Sequence, residues 1–165
     1  MSLVHSNLGE MSQATPQPPT MKKIPVPVPF TEKITLLAVS PDQGDCVSLE
    51  RILDRSRWTI HRASSYREAT RLIRESNPSL ILCERDLPDG SWKDVFRTAA
   101  GLGAPPTVVV VSRQADERLW AEVLNLGGYD VLLKPFDHVE VRRVMNMASR
   151  HRNRAPRTHF EPAVA

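Results

Sequence analysis

The chain has 165 residues, 41% hydrophobic and 25% charged, with a formal net charge of +3. That length suits one domain with room for tails, and the composition is that of an ordinary globular protein. The charge is too small to imply nucleic acid by itself, no apolar run is long enough to span a bilayer, and the N-terminus lacks the apolar stretch of a signal peptide, so the cytoplasm is the expected compartment.

Residues 1–30 read as an unstructured tail. Pro16, Pro18, Pro19, Pro25, Pro27 and Pro29 are scattered through polar residues and leave no helical or strand period. From Ile34 a regular alternation begins. Ile34 to Val39 is a first strand, and Cys46, Leu49, Ile52 and Leu53 recur at helical spacing in a first helix. Trp58 to Ala63 is a second strand. Ser65-Tyr66-Arg67-Glu68 reads as a capping box, opening a second helix with Ala69, Leu72 and Ile73 on its apolar stripe and an end near Asn77-Pro78.

Leu80 to Cys83 is a short apolar run that ends in Glu84, the pattern of a strand covered on both faces. Leu87-Pro88-Asp89-Gly90 is turn chemistry. Ser91 caps a third helix with Val95, Phe96 and Ala99 inward. Thr107 to Ser112, a valine run, is a fourth strand. Leu119, Val123 and Leu126 mark a fourth helix ended by Gly127-Gly128. Val131 to Leu133 is a fifth strand. Asp137-His138-Val139-Glu140 reads as another capping box, opening a fifth helix with Val141, Val144, Met145 and Ala148 inward. Cys46 and Cys83 are expected as buried thiols rather than a disulfide or metal pair. From residue 153 the chain reads as a short basic tail, following Arg150, His151 and Arg152. No aromatic is interleaved there for base stacking, so nucleic acid is not the expected partner.

Five strands alternating with five helices predict an α/β domain over residues 31–152. Right-handed crossovers give a doubly wound parallel sheet of flavodoxin-like order 2-1-3-4-5. Such sheets carry their sites at the carboxyl ends of the strands. Collected there are Ser40-Pro41-Asp42, Glu84, Ser112 and Lys134-Pro135. A carboxylate facing an ammonium should pair, with Ser112 able to add a hydrogen bond.

The segment from Ile34 to His151 resembles a response-regulator receiver domain, the phosphorylation switch of two-component signalling. Three landmarks carry the resemblance: Pro78 to Gly90, Thr107 to Ser112, and Gly127-Gly128-Tyr129-Asp130-Val131-Leu132-Leu133-Lys134-Pro135-Phe136. The resemblance implies a phosphoacceptor aspartate where this chain has Glu84, and an acidic Mg²⁺-holding pair where it has Ser40 and Pro41, with Asp42 one residue beyond. It also implies an aromatic switch where the chain has Val131, and a cis bond between Lys134 and Pro135. The hydroxyl and lysine positions are kept as Ser112 and Lys134.

These departures point to a degenerate receiver. Mg²⁺ wants oxygen ligands in near-octahedral order, and losing two carboxylates leaves Glu84 and at most a loop carbonyl, so Mg²⁺ binding should be lost and no other cofactor is implied. Phosphoryl transfer rests on positioning and charge neutralisation, much of it from the metal, so phosphorylation of Glu84 is not expected. Glu84, one methylene longer than aspartate, should instead carry charge towards Ser112 and Lys134. Asp86 and Asp89 are expected as solvated loop residues.

The expected function is a non-enzymatic signalling module with a protein partner: a signalling protein, a histidine kinase or a second copy. The resemblance implies contact through the fourth helix, fifth strand and fifth helix, with Trp120, Arg118, Glu122, Arg142 and Arg143 as candidates. With no output domain after the fifth helix, its effect would come through such contacts. The alternative is a phosphorylatable receiver of a phosphorelay with a non-standard site. A flavin enzyme on the same fold is disfavoured, because Pro41-Asp42-Gln43-Gly44-Asp45 is acidic and lacks a phosphate-cradling run.

Overall fold

The computed structural model describes residues 33–154. The expected N-terminal tail lies outside them, as does the basic stretch beyond Arg154. Strand β1 (Ile34–Val39) leads to helix α1 (Gln43–Ile52), β2 (Trp58–Ala63), α2 (Tyr66–Ser76) and β3 (Leu80–Glu84). Two short strands follow, β4 (Asp86–Leu87) and β5 (Gly90–Ser91). Then come α3 (Trp92–Ala100), β6 (Thr107–Ser112), α4 (Glu117–Asn125), β7 (Asp130–Leu133) and α5 (His138–Arg154). The five long strands form one parallel sheet in the order β2-β1-β3-β6-β7, which is the expected 2-1-3-4-5 winding. The turn predicted at Leu87 to Gly90 is a small hairpin in which β4 and β5 pair antiparallel.

Strand residues alternate between two cores because successive side chains point to opposite faces. Leu36, Ala38, Leu80, Leu82, Val109 and Val111 face α1 and α5, and meet Leu49, Val144 and Met145. Leu37, Val39, Ile81, Cys83, Val108 and Val110 form the other core with Ile73, Val95 and Val123 of α2, α3 and α4. Both faces are therefore covered, which is why β3 and β6 read as continuous apolar runs.

Helix ends are set by short polar side chains. Asp42 caps α1 by accepting the Gly44 N–H, and Asp116 caps α4 by accepting the Leu119 N–H. Ser91 and Asp94 form a reciprocal capping box at α3. The boxes expected at α2 and α5 are only half made. Ser65 does accept the Glu68 N–H, but the Glu68 carboxylate reaches past it to the Ser64 N–H at 2.8 Å. Asp137 accepts the Glu140 N–H at 2.8 Å, while the Glu140 carboxylate turns to Arg143. Asn77, at φ 44°, closes α2 in the left-handed conformation that asparagine tolerates. Gly127, at φ 99°, follows α4, and a Cβ there would also lie 3.1 Å from the Phe96 ring.

Two local expectations need correction. Leu126, placed on the inward stripe of α4, is 47% exposed, because the helix ends at Asn125 and the chain turns through Gly127. The last strand starts at Asp130, one residue before the predicted Val131.

Candidate functional site

The strand register decides what converges. Val39 lies beside Cys83, Glu84 beside Val111, and Ser112 beside Leu133. Ser40, Glu84, Ser112 and Lys134 therefore stand together at the carboxyl edge of the sheet. The Lys134 N–H donates to the Ser112 carbonyl at 2.9 Å, and the Lys134-Pro135 bond is cis.

Lys134 is 8% exposed, and its ammonium meets two carboxylates. Its Nζ donates to Asp45 Oδ2 at 2.7 Å and forms an ion pair with Glu84 Oε2. The Glu84 contact lacks the angle of a hydrogen bond, and this buried oxygen has no other donor among the described residues, so charge alone satisfies it. Ser40 Oγ donates to the same Asp45 oxygen at 2.6 Å and accepts the Asp42 N–H at 3.1 Å. Burial alone would pull the Lys134 ammonium down, but its hydrogen bond to Asp45 and the negative charges of Glu84 and Asp45 outweigh that and hold it above its ordinary value. Beside this cluster, among Ser40, Asp45, Cys46, Glu84, Val111 and Phe136, only about 10 Å³ of space is left. That is at the lower limit for a single water, roughly 10–15 Å³.

Asp45 is the residue that sequence reasoning missed. The loss of the acidic pair was expected to leave Glu84 as the one carboxylate. Instead the first turn of α1, which starts just after β1, brings Asp45 into the crevice, where it is 9% exposed. Ser40 is buried, and its hydroxyl ties Asp45 to the end of β1.

Ser112 does not join the ion pair. It is buried, and its Oγ accepts the Gln114 N–H at 3.1 Å. Glu84 thus directs its charge to Lys134 but makes no bond with Ser112. Pro41 is exposed. Asp42 is occupied as a helix cap, and its other oxygen lies 3.6 Å from Arg113. Val131 is half-buried against the core shared by α2, α3 and α4. Among the described residues, no three His, Cys, Asp or Glu side chains converge as a metal cage.

Asp89, expected as a solvated loop residue, has a defined task. Its carboxylate accepts the N–H groups of Tyr66 and Arg67 at 2.7 and 2.9 Å, pinning the hairpin after β3 to the start of α2. Those two backbone bonds hold its carboxyl below the usual carboxylate range. Asp86 pairs with its neighbour Arg85.

The proposed contact residues also divide. Glu122 pairs with Lys93 of α3, Arg118 lines the groove between α3 and α4, and Arg142 donates to the Ile52 carbonyl at the end of α1. Trp120 remains 51% exposed, with its Nε1 3.3 Å from Asp130 Oδ1, and Arg143 stays on the surface of α5 beside Glu140. No helix among the described residues is long and apolar enough to cross a membrane.

Comparison with known proteins bears on this arrangement. The family model of the response regulator receiver domain matches residues 37–146. The methanogenesis regulatory protein FilR1 of Methanothrix harundinacea (strain 6Ac) is 29% identical over 112 residues, 64% of this chain and 25% of that protein. The transcriptional regulatory protein ZraR of Escherichia coli (strain K12) is 23% identical over 120 residues, 73% of this chain and 27% of that protein. The aligned region is thus about a quarter of the length of these curated relatives. Among solved structures, the signal receiver domain of an HD domain-containing protein from Pseudomonas fluorescens Pf-5 matches with a TM-score of 0.66 and 22% identity. That match covers 73% of this chain and 98% of the other, and at that identity it speaks for the fold.

Proposed function

The chain belongs to the response-regulator receiver family, whose domains are signalling modules, and we propose that this member works by binding a protein partner without being phosphorylated. One observation carries the reading: the Lys134 ammonium is already neutralised by Glu84 and Asp45, and all three side chains are largely buried. Phosphoryl transfer to a carboxylate needs an accessible oxygen and uncommitted positive charge around the phosphoryl group. Here Glu84 Oε2 is buried in an ion pair, and the lysine that would meet the phosphoryl oxygens is taken up by side chains. Mg²⁺ would have to displace Lys134 from both carboxylates and build an octahedral shell from them. We expect no useful Mg²⁺ affinity and no other cofactor, and the function is binding rather than catalysis.

The surface favoured for contact is formed by α4, β7 and α5. Those elements expose Trp120 and Leu124, Leu133, and Val139 and Met147 respectively, with Arg143 among them. Half-exposed tryptophan beside aliphatic side chains and an arginine is the composition of protein contact surfaces. The partner is a signalling protein or a second copy of the chain.

The test is a titration of the labelled protein with beryllofluoride and Mg²⁺, which together stand in for a phosphorylated carboxylate. Amide shifts at Glu84, Ser112 and Lys134 that stay in place support the proposal. Saturable shifts centred on them would instead mark a phosphorylatable receiver with a non-standard acceptor.

A further inference from the structure

At the opposite edge of the sheet from Lys134, a cleft of about 250 Å³ lies between the end of α1, the start of β2 and α5. Arg51, Arg57 and Arg142 line it, with Asn146, Trp58 and one acid, Asp54. The acid is a turn residue: its carboxylate accepts the Ser56 N–H at 2.9 Å, and its carbonyl accepts the N–H groups of Arg57 and Trp58. Several arginines elsewhere pair with carboxylates, as Arg62 does with Glu50, Arg71 with Glu75, Arg97 with Asp94 and Arg143 with Glu140, while, among the described residues, Arg67, Arg74, Arg118 and Arg150 stand singly on other parts of the surface. Among the described residues, none of the three cleft arginines has a carboxylate partner. Arg142 is also held in place, because its Nε donates to the Ile52 carbonyl at 3.0 Å while its terminal nitrogens make no described bond.

Three guanidiniums against a single carboxylate give the cleft an excess of positive charge, which favours an anion there. Planar guanidinium forks match phosphate oxygens, and the Asn146 amide supplies a further donor. We propose that this cleft binds a small soluble anion bearing one or two phosphoryl groups. The cleft is smaller than the usual range for drug-sized ligands, roughly 300–1,000 Å³, so it suits the phosphoryl groups themselves rather than an attached base. The site shares no side chain with the Lys134 crevice and does not depend on how that crevice works.

The experiment titrates the isotopically labelled full chain with pyrophosphate, and separately with inorganic phosphate, at ionic strength held constant with chloride. The expected result is saturable shifts at Leu53, Trp58 and Asn146, with affinity lowered about tenfold in Arg57→Gln and in Arg51→Gln, the effect of losing one charge-assisted contact. Pyrophosphate should also raise the thermal midpoint of the wild type and not that of Arg57→Gln. Without ligand at low salt, Arg57→Gln should melt no lower than the wild type, which keeps the test clear of a folding defect. Shifts that grow linearly, match those of chloride or survive in both variants overturn the proposal. So does co-sedimentation with phosphatidylglycerol vesicles in a protein that ignores pyrophosphate, since the ligand would then be a lipid surface.

Discussion

Replacing Lys134 by methionine keeps the length of the side chain and removes its charge. Asp45 and Glu84, whose side chains are 11% and 14% exposed, would then face each other without a cation. Removing one partner of a buried ion pair costs about 3–5 kcal/mol, mainly because the remaining charge is left uncompensated. An independent limit gives a similar figure. A carboxylate can always escape repulsion by taking up a proton, at about 1.36 kcal/mol for each pH unit above an unfolded-state value near 4. The penalty is therefore capped at about 4 kcal/mol at pH 7 and about 1.4 kcal/mol at pH 5. The sign follows: the folded variant binds a proton that the unfolded chain does not, so its stability falls as pH rises through this window. Urea unfolding of the wild type and Lys134→Met at pH 5, 6, 7 and 8 reads the effect directly. The difference between the two should widen with pH, and adding Asp45→Asn and Glu84→Gln to Lys134→Met should recover much of it. A loss below about 1 kcal/mol that is the same at every pH would refute the reasoning, because it would mean that solvent already screens the cluster.

Other outcomes follow from the same geometry. In the wild type, the raised Lys134 value makes the cluster's contribution fully present below its ordinary value near 10.5 and lost as pH rises through the folded-state value, so alkaline unfolding should shift to lower pH in Lys134→Met. Asp89→Ala should lower the thermal midpoint, and hydrogen exchange at the Tyr66 and Arg67 amides should speed up, because two helix N–H groups lose their acceptor. Glu84→Asp restores the acceptor residue of the family but not the acidic pair. Its intact mass should stay unchanged after incubation with acetyl phosphate and Mg²⁺, and a gain of one phosphate would show that Glu84 alone closes the site.

The parts of the chain that could be read from sequence are those fixed by local chemistry. β1, β2 and β6 begin and end at the predicted residues; in β1 and β6 that follows from burial on both faces, while β2 lies at the sheet edge and is only partly buried between Trp58 and Ala63. Glu84 stands at the end of the strand where the apolar run places it, and the cis Lys134-Pro135 bond is the one that the family resemblance implies. What escaped depends on contacts made far along the chain. Asp45 pairs with Lys134 across 89 positions, and in the sequence it is one acid in an acidic loop. A signal did exist: Ser40 and Asp45 span the end of β1 and the first turn of α1, which puts both beside any residue at the end of a neighbouring strand. Asp89 reaches Tyr66 over 23 positions, and nothing local marks it as a cap for a helix that precedes it. Leu126 kept the helical period but fell just past the last turn, where that period no longer describes direction.

The central claim is that the crevice is closed to phosphate because its own carboxylates hold Lys134. Intact mass after incubation with acetyl phosphate, with and without Mg²⁺, tests it most directly. The expected result is an unchanged mass in both conditions. A stoichiometric gain of one phosphate that requires Mg²⁺ and disappears in Glu84→Gln would contradict it, since it would show that the ion pair opens to admit metal and phosphoryl group together.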